Sequence, residues 1–268
     1  MTATGRLAIG DIEMVGLSDG ELAMSTDWYA GIDWDAHRDM LGSDGKLHIP
    51  IGCYLVRTSG RTLLLDTGIG PDANFLGQGG QLPTELAALG VGVSDIDTVI
   101  LSHLHVDHAG WLVDGDKPAF PNATVRFGAG DWPVWVESAH EKDRVRRGME
   151  RLSELGRLEP MEGDMLSLAP GVTARFTPGH TAGHYVMILS SGEERAYLLG
   201  DAVECPLQVE EPDFYILSDM DPSLARQTRE AMWREVEGTS AVVGAAHFPG
   251  LELGRVLAGR GRRYFQVA

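Results

Sequence analysis

Three histidines and one aspartate lie within six consecutive positions of this 268-residue chain. They are His103, His105, Asp107 and His108, in the segment SHLHVDHAG at residues 102–110. Neutral imidazole and carboxylate are the ligands that Zn²⁺ and similar divalent ions accept. This combination indicates a metal site more strongly than it indicates a solvated polar turn or a buried structural histidine.

The apolar residues 98–101, directly before this segment, predict a strand that ends near the first histidine. Side chains two positions apart on a strand share a face, so His103 and His105 would point the same way. The turn that follows would direct Asp107 and His108 at a second position beside the first. The cluster therefore holds enough ligands to begin two metal sites.

Further candidate ligands follow other predicted strands. They are His180 in TPGHTAGH (177–184), Asp201 at the end of AYLLGD (196–201) and His247 at the end of AVVGAAH (241–247). Taken singly, each residue is more typical of a turn than of a metal site. Taken together and in this order, they complete a ligand set.

This series of residues resembles the metallo-β-lactamase fold superfamily, and more closely its hydrolase branch of lactonases and related esterases. The resemblance extends from the segment DTG at residues 66–68 to His247. It implies two divalent metal ions per chain, with Zn²⁺ as the default and Mn²⁺, Fe²⁺ or Co²⁺ as alternatives. The ligand set that it implies is His103, His105 and His180 for one metal, Asp107, His108 and His247 for the other, and Asp201 as a bridge.

The resemblance also implies roles for two residues outside the ligand set. Asp66 would be a buried carboxylate that supports the ligand strands. His184 would lie just beyond the ligands, where a partner fixes the orientation of an imidazole or carboxylate. A substrate-facing role for His184 is an equally open alternative.

The positions of the ligands bear on the domain organisation. A chain of 268 residues suits one large domain or two small ones. The candidate ligands run from His103 to His247, so a division between them would destroy the site, and we predict a single domain over residues 1–268. Alternating strands and helices, with several hairpins, predict an α/β fold. The resemblance sharpens this to a four-layer αβ/βα sandwich with two mixed β-sheets and the metals at one edge.

Hydrophobic periodicity and turn residues place the individual elements. We expect a surface helix at residues 141–155, because Val145, Met149 and Leu152 recur in it at helical spacing. Asp131 would cap another helix that has Pro133 in its first turn. The other expected elements are strands at residues 5–15, 51–65, 96–101, 124–127, 172–176, 185–190 and 196–200, and helices at residues 82–89 and 221–236.

Acidic residues outnumber basic residues by 39 to 22, which gives a formal net charge of −17. A protein that binds nucleic acid needs a cationic surface to meet the phosphates, so we expect no nucleic-acid partner. We interpret the basic cluster near the C-terminus as a solvated tail that pairs with the acidic body. It comprises Arg255, Arg260, Arg262 and Arg263.

The sequence also bears on the cellular compartment. No stretch approaches the roughly 20 apolar residues of a membrane span, and the first residues, MTATGR, lack the pattern of a signal peptide. Cys53 and Cys205 are the only cysteines and form no disulfide framework. We therefore expect a cytoplasmic protein with reduced thiols and no contact with membranes.

Two adjacent metals imply a particular chemistry. A water shared by two divalent ions loses a proton near neutral pH and attacks an electrophile. The candidate catalytic residues are Asp107, Asp201 and Glu204, and we find no GxSxG segment that would indicate a serine nucleophile. The resemblance thus predicts a dinuclear hydrolase that uses a metal-bridging hydroxide to cleave a lactone or small carboxylic ester.

Two features bear on the substrate. The aromatic-rich residues 28–40 include Trp28 and Trp34, which would line a pocket for a hydrophobic or aromatic part of a small molecule, or else pack beneath a loop. In the acyl-homoserine lactonases a tyrosine stands three residues after the bridging aspartate, whereas here Glu204 occupies that place, which puts homoserine lactones in doubt. Glu204 would disfavour anionic substrates and relay protons, or else point to solvent.

Alternatives to a lactonase or esterase stay open. The same metal core serves, in related proteins, for phosphotriesters, activated aryl ethers or halides, and thioesters. A non-enzymatic binding protein on this scaffold is disfavoured, because all seven candidate ligands are present. An N-terminal loop such as residues 28–40 also contacts a second subunit in related hydrolases, which leaves a homodimer open.

Overall fold

The first half of the chain builds a sheet of eight strands. The computed structural model describes residues 5–71, 77–259 and 261–268. The strands of this half are β1 (Arg6–Ile9), β2 (Ile12–Met24), β3 (Tyr29–Ala30), β4 (Leu47–Thr58), β5 (Arg61–Leu65), β6 (Gly77–Gln78), β7 (Thr98–Ile100), β8 (Val113–Asp114), β9 (Lys117–Pro118), β10 (Thr124–Gly128) and β11 (Leu158–Met161). The α-helices are α1 (Leu82–Ala88), α2 (Val106–Ala109) and α3 (Arg144–Glu154).

The strand order in this first sheet is β1-β2-β4-β5-β7-β10-β11, with β6 paired to β2. The strands β1, β2, β4 and β5 are antiparallel neighbours, whereas β5, β7, β10 and β11 run parallel. Because parallel neighbours end at the same edge of a sheet, Asp66 after β5 and His103 after β7 come close together. The strands β8 and β9 form a separate small hairpin.

The second half builds a seven-stranded sheet in the order β12-β13-β14-β15-β17-β18-β19. Its pairs are antiparallel except for β15 and β17, which run parallel. The strands are β12 (Met165–Ala169), β13 (Val172–Phe176), β14 (Tyr185–Ser191), β15 (Glu194–Leu198), β16 (Tyr215–Ile216), β17 (Val242–Gly244), β18 (Gly254–Gly259) and β19 (Arg262–Val267). The helices are α4 (Leu207–Glu210) and α5 (Pro222–Val236), and β16 pairs with β3 outside both large sheets.

Successive side chains along a strand point to opposite faces of the sheet and therefore pack in different hydrophobic cores. On β5, Leu63 and Leu65 face the second sheet, whereas Leu64 faces the helices α1 and α3. On the outer face of the second sheet, Met232 and Trp233 of α5 pack against β14, β15 and β17. The layers therefore follow one another as helix, sheet, sheet and helix.

Helix α3 begins three residues later than the expected start at residue 141. Asp143 sets the beginning, because its carboxylate accepts a hydrogen bond from the backbone N–H of Arg146 at 3.0 Å. The three residues predicted to face the core, Val145, Met149 and Leu152, are all buried.

The prediction that Asp131 caps a helix is wrong. Asp131 is the last residue of the 3₁₀ turn Ala129–Asp131, and Pro133–Glu137 after it forms a single π-helical turn. An aspartate two residues before a proline resembles a cap in the sequence. Its buried carboxylate instead bonds to distant turns of the chain, as described below.

The three described arginines of the C-terminal cluster lie in strands and not in a tail. The hairpin of β18 and β19 contains Arg255, Arg262 and Arg263, while Arg260 lies outside the described residues. Arg263 does pair with acidic residues, at 2.8 Å from Glu230 and 2.7 Å from Glu237. The predicted pairing is therefore confirmed for Arg263, but in a strand. Among the described residues, none of the helices combines the length and the apolar composition that a membrane-spanning helix needs.

Candidate metal centre

The candidate ligands lie on turns that meet at one edge of the two sheets. The chain leaves β7 at Ile100 and continues through His103 and His105 into α2. His180 lies in the turn between β13 and β14, and Asp201 and His247 follow the parallel pair β15 and β17. The ends of parallel strands from both sheets thus bring together residues that are up to 144 positions apart.

A first group contains three imidazoles and one carboxylate. His105 Nδ1 lies 2.9 Å from His103 Nε2 and 3.0 Å from His180 Nε2. Asp201 Oδ2 lies 3.8 Å from His103 Nε2 and 3.5 Å from His180 Nε2. One ligand atom from each of the four residues lies within 4.8 Å of all the others. Such a group can hold a divalent cation with four ligands.

A second group lies on the other side of Asp201. The Oδ1 atom of Asp201 is 3.1 Å from His108 Nε2 and 3.3 Å from His247 Nε2. Asp107 Oδ2 completes the group, at 3.6 Å from His108 Nε2 and 3.4 Å from His247 Nε2. Because Asp201 presents one oxygen to each group, its carboxylate has the geometry of a bridging ligand.

Two atoms of this cluster test whether a metal ion suits it. Among the described residues, His108 Nε2 and Asp201 Oδ1 are buried without a hydrogen-bond partner, although they lie 3.1 Å apart. An unpaired buried polar atom costs about 1–3 kcal/mol. A divalent cation would satisfy both atoms at once, and imidazole with carboxylate is the donor set that Zn²⁺ favours. The residues therefore fit a pair of divalent ions.

The charge balance of the two groups also suits metal ions. Burial lowers the pKa of His105 to about 3 and holds that of His103 well below its ordinary value, so both rings are neutral ligands. Burial also disfavours charge on His108 and His247, but the nearby carboxylates, Asp201 foremost, raise their pKa well above the ordinary value. A divalent cation would take the place of those protons.

Each of three ligand histidines is held through its Nδ1 by a partner outside the cluster. The pairs are His108 with Asp66 Oδ2 at 2.9 Å, His180 with Asp219 Oδ1 at 3.0 Å and His247 with the Pro50 carbonyl at 2.7 Å. A carbonyl oxygen only accepts, so His247 Nδ1 donates its proton to Pro50 and leaves Nε2 as the nitrogen that would bind a cation. Such partners fix the ring orientation and tautomer of metal-binding histidines.

Asp66 lies where the resemblance placed it, behind the ligand turn. Its carboxylate accepts hydrogen bonds from the backbone N–H of Ser102 at 2.7 Å and from the Ser102 hydroxyl at 2.8 Å. The same hydroxyl lies 3.0 Å from His103 Nδ1, whose proton it can accept. Asp66 adopts a left-handed backbone conformation with φ of 57°, a strained state for this residue type that costs on the order of 1–3 kcal/mol. One carboxylate thus orients His103 and His108.

His184 is fully buried and both of its ring nitrogens have partners. Its Nε2 lies 3.1 Å from the backbone N–H of Asp201, and its Nδ1 lies 2.9 Å from Thr177 Oγ1. Burial holds the pKa of His184 well below its ordinary value, so the neutral ring accepts from Asp201 and donates to Thr177. Of the two roles left open by the sequence, this geometry favours support of Asp201 over contact with substrate.

A cavity of about 260 Å³ opens above the ligands. Most of its wall is apolar, and part of its floor is His105, Asp107, Asp201 and His247. Among the described residues around it, none is a lysine or an arginine. The apolar wall includes Leu22, Met24, Trp28, Ile49, Trp135 and Ile216. This combination suits a neutral small molecule with a hydrophobic part.

The two tryptophans that the sequence assigned to the pocket lie in different environments. Trp28 lines the cavity and remains 38% exposed. Trp34 is not part of the cavity wall, because its indole packs edge-on against Tyr29 and Phe214 at centroid distances of 5.7 and 6.1 Å. A pocket role therefore stays a prediction for Trp28, which lies in the cavity wall, whereas the packing of Trp34 contradicts such a role for that residue.

Glu204 lies in the cavity wall and is buried. One carboxylate oxygen lies 3.8 Å from His180 Nδ1, and its backbone N–H donates to Gln208 Oε1 at 2.7 Å. Burial, reinforced by the charge of Asp201, raises the pKa of Glu204 to about 8. The alternative that Glu204 points to solvent is excluded by this position.

Two residues that contact the candidate ligand histidines, Trp135 and Asp219, were not foreseen from the sequence. Trp135, on the π-helical turn, lies edge-on to His105 with ring centroids 4.5 Å apart. A π-turn often marks a functional site, but nothing in the local pattern distinguishes this turn from an α-helix. Asp219, which bonds to His180, stands in a segment without periodicity, and no sequence signal connects the two.

Residues 50–247 match the family described as the metallo-beta-lactamase superfamily. The N-acyl homoserine lactonase AiiB of Agrobacterium fabrum is 28% identical over 190 residues, which are 59% of this chain and 64% of that protein. An N-acyl homoserine lactonase of a Bacillus species is 32% identical over 174 residues, which are 57% of this chain and 63% of that protein. The chain thus spans just under two thirds of the length of these relatives.

Solved structures show the same fold. A hydrolase of the beta lactamase superfamily, AbOPH, superposes with a TM-score of 0.85 at 22% identity, over 98% of this chain and 96% of that chain. AidC, a dizinc quorum-quenching lactonase in complex with a product, has a TM-score of 0.84 at 23% identity, over 98% and 97% of the two chains. The predicted α/β fold with two mixed sheets is confirmed, as is the resemblance read from the ligand series. The chain belongs to the metallo-beta-lactamase superfamily.

Proposed function

We propose that this chain is a metal-dependent hydrolase that cleaves a lactone or small carboxylic ester. One observation carries the proposal: two ligand groups share Asp201 beneath a cavity whose wall is largely apolar. A catalytic metal site of this kind needs ligands on one side and space for a substrate on the other. The names of the relatives, N-acyl homoserine lactonases, support the same reaction class.

The residues that would hold the two ions are those of the two groups described above. When bound, a pair of divalent ions supplies a nucleophile from water and polarises the oxygen of the electrophile. The chain itself contributes orientation: Asp66 orients His103 and His108, and His184 holds the backbone of Asp201. The apolar wall excludes bulk water from the reacting group, which strengthens electrostatic interactions there.

The cavity supports a substrate that is neutral and partly hydrophobic. An anionic group lying away from the two ligand groups would find no arginine or lysine in the described walls to pair with it. The apolar surface of Trp28, with its neighbours in the wall, would contact an acyl or aryl group. One solved relative holds N-hexanoyl-homoserine as its product, which has such an acyl group. Zn²⁺ as the native metal, a homodimer and the exclusion of nucleic acid remain predictions.

A phosphotriester is the second candidate substrate. A triester is uncharged, so it also suits a cavity without cationic side chains. Glu204 in place of the tyrosine of the acyl-homoserine lactonases is a further reason to test it. Activated aryl substrates and thioesters share the neutral character but receive no additional support from the cavity.

A hydrolysis screen of the metal-loaded protein separates these candidates. The panel comprises acyl-homoserine lactones of several chain lengths, simple γ-lactones, p-nitrophenyl esters, dialkyl p-nitrophenyl phosphates and β-lactams. We expect the highest kcat/KM for a lactone or carboxylic ester. A higher value for a phosphotriester would favour the second candidate, and the absence of turnover on the whole panel would favour a binding protein.

A further inference from the structure

The carboxylate of Asp131 joins two ligand turns that come from different sheets. Asp131 follows β10 of the first sheet and is completely buried. Its Oδ2 accepts hydrogen bonds from the backbone N–H of Leu104 at 3.0 Å and from the Thr181 hydroxyl at 3.0 Å. Its Oδ1 accepts from the backbone N–H of Gly183 at 2.6 Å.

These partners lie next to metal ligands in the chain. Leu104 stands between His103 and His105, and Thr181 directly follows His180. One side chain therefore fixes the backbone on which all three imidazoles of the first group are carried. The three rings meet within 3.0 Å at His105 Nδ1, although they come from turns about 75 residues apart.

The backbone of the turn that contains Asp131 packs closely against the turn that carries His180. A methyl group on Gly128 would lie 1.7 Å from the carbonyl oxygen of Gly183, and one on Gly183 would lie 2.7 Å from the backbone nitrogen of Asp131. Two glycines thus allow the turn after β10 to touch the turn that carries His180. The contact places the carboxylate where it reaches both ligand turns.

Other partners orient the imidazoles of the second ligand group. His108 bonds to Asp66, and His247 bonds to the Pro50 carbonyl. No hydrogen bond described for Asp131 reaches Asp107, His108 or His247. Loss of the Asp131 carboxylate should therefore disturb one ligand group and spare the other.

We propose that Asp131 is a positioning residue for the metal ion held by His103, His105 and His180. The proposal rests on the dinuclear centre of the proposed function. Asp131 aligns two turns from separate sheets so that three imidazole nitrogens can bind the same ion. Outer partners of this kind typically contribute about 10- to 100-fold to metal affinity.

The variant Asp131→Asn removes an acceptor while keeping the size of the side chain. Its amide nitrogen donates and does not accept, so it must face either the Gly183 N–H or the pair from Leu104 and Thr181. Asp19→Asn is a matched control. Asp19 is also completely buried and accepts from the backbone N–H groups of Ile69 and Leu82, but its described bonds reach neither turn of the first group.

The test measures metal binding rather than turnover. Apo-protein is titrated with Co²⁺ in competition with a chelator, which gives two affinities and the visible spectrum of each site. His180→Ala and His108→Ala identify which step belongs to which group. We expect Asp131→Asn to weaken the His180-dependent step at least tenfold and to alter its spectrum, with the other step unchanged within about twofold.

Four results would overturn the proposal, and they are distinguishable. If wild-type protein binds fewer than two ions, the dinuclear centre itself fails. If wild-type protein binds two ions and Asp131→Asn keeps both affinities and both spectra, only the positioning role fails. If Asp19→Asn weakens the same step equally, the effect is one of general stability.

Thr181→Val tests the same role if Asp131→Asn does not fold, because it removes only one of the donors to Asp131. We expect it to weaken the His180-dependent step by a smaller factor. An unchanged affinity would count against the positioning role.

Discussion

The backbone N–H of Asp201 donates a hydrogen bond to His184 Nε2 over 3.1 Å. The bond fixes the peptide from which the Asp201 side chain projects, and that side chain presents one oxygen to each ligand group. His184 is therefore linked to both groups although it belongs to neither. This relationship yields the first prediction.

We expect His184→Ala to lower kcat/KM by about 10- to 100-fold, because the Asp201 N–H loses its buried acceptor and the bridging carboxylate loses its support. Steady-state kinetics of metal-loaded protein on one active substrate measures this. Thr177→Val, which removes only the other partner of the ring, should have a smaller effect. Activity within about twofold of wild type in His184→Ala would show that Asp201 is held by other contacts.

Asp107→Ala should remove nearly all activity while the fold survives. Asp107 contributes a ligand oxygen to the second group, whereas the cores of the sheets consist of apolar strands. Circular dichroism should be unchanged, and kcat should fall more than tenfold, a loss above about 1.4 kcal/mol. Asp114→Ala, at an exposed aspartate, serves as the control. A variant that keeps more than a tenth of wild-type kcat would contradict a metal-binding role for Asp107.

The two tryptophans of the N-terminal loop should behave differently. Trp28 lines the cavity, so Trp28→Ala should lower kcat/KM at least fivefold for a substrate with a long acyl or aryl group. Trp34 packs on Tyr29 and Phe214 instead, so Trp34→Ala should lower the free energy of unfolding by about 1–3 kcal/mol and leave kcat/KM nearly unchanged. Kinetics and urea unfolding of both variants measure this contrast. Equal kinetic effects would mean that the cavity does not bind the substrate's apolar part.

Glu204→Gln tests the acidic wall of the cavity. The substitution keeps the shape of the side chain and removes the carboxylate that lies 3.8 Å from His180 Nδ1. Above pH 8, where Glu204 is ionised, we expect kcat/KM to change at least threefold, and more for a substrate that carries a carboxylate than for its neutral methyl ester. Kinetics on such a matched pair measures the ratio. An unchanged ratio would exclude Glu204 from substrate selection.

The candidate ligand turns could be recognised in the sequence because their signal is local. A histidine or aspartate directly after an apolar strand is visible in the chain, and the parallel pairs β5–β7 and β15–β17 bring such residues to one edge. The residues of the cavity wall were harder to predict from the sequence, since Ile216 and Trp135 come from segments without a distinctive pattern. Asp131 was misread because an aspartate before a proline resembles a helix cap, whereas its role depends on Leu104 and Gly183, 27 and 52 positions away.

The measurement that tests the central claim most directly is a titration of metal-free protein with Zn²⁺, followed by the rate of lactone or ester hydrolysis. The account predicts negligible turnover without metal and a rate that rises to its maximum at two equivalents per chain, because both ligand groups share Asp201. A maximum at one equivalent, or hydrolysis that does not depend on metal, would contradict it.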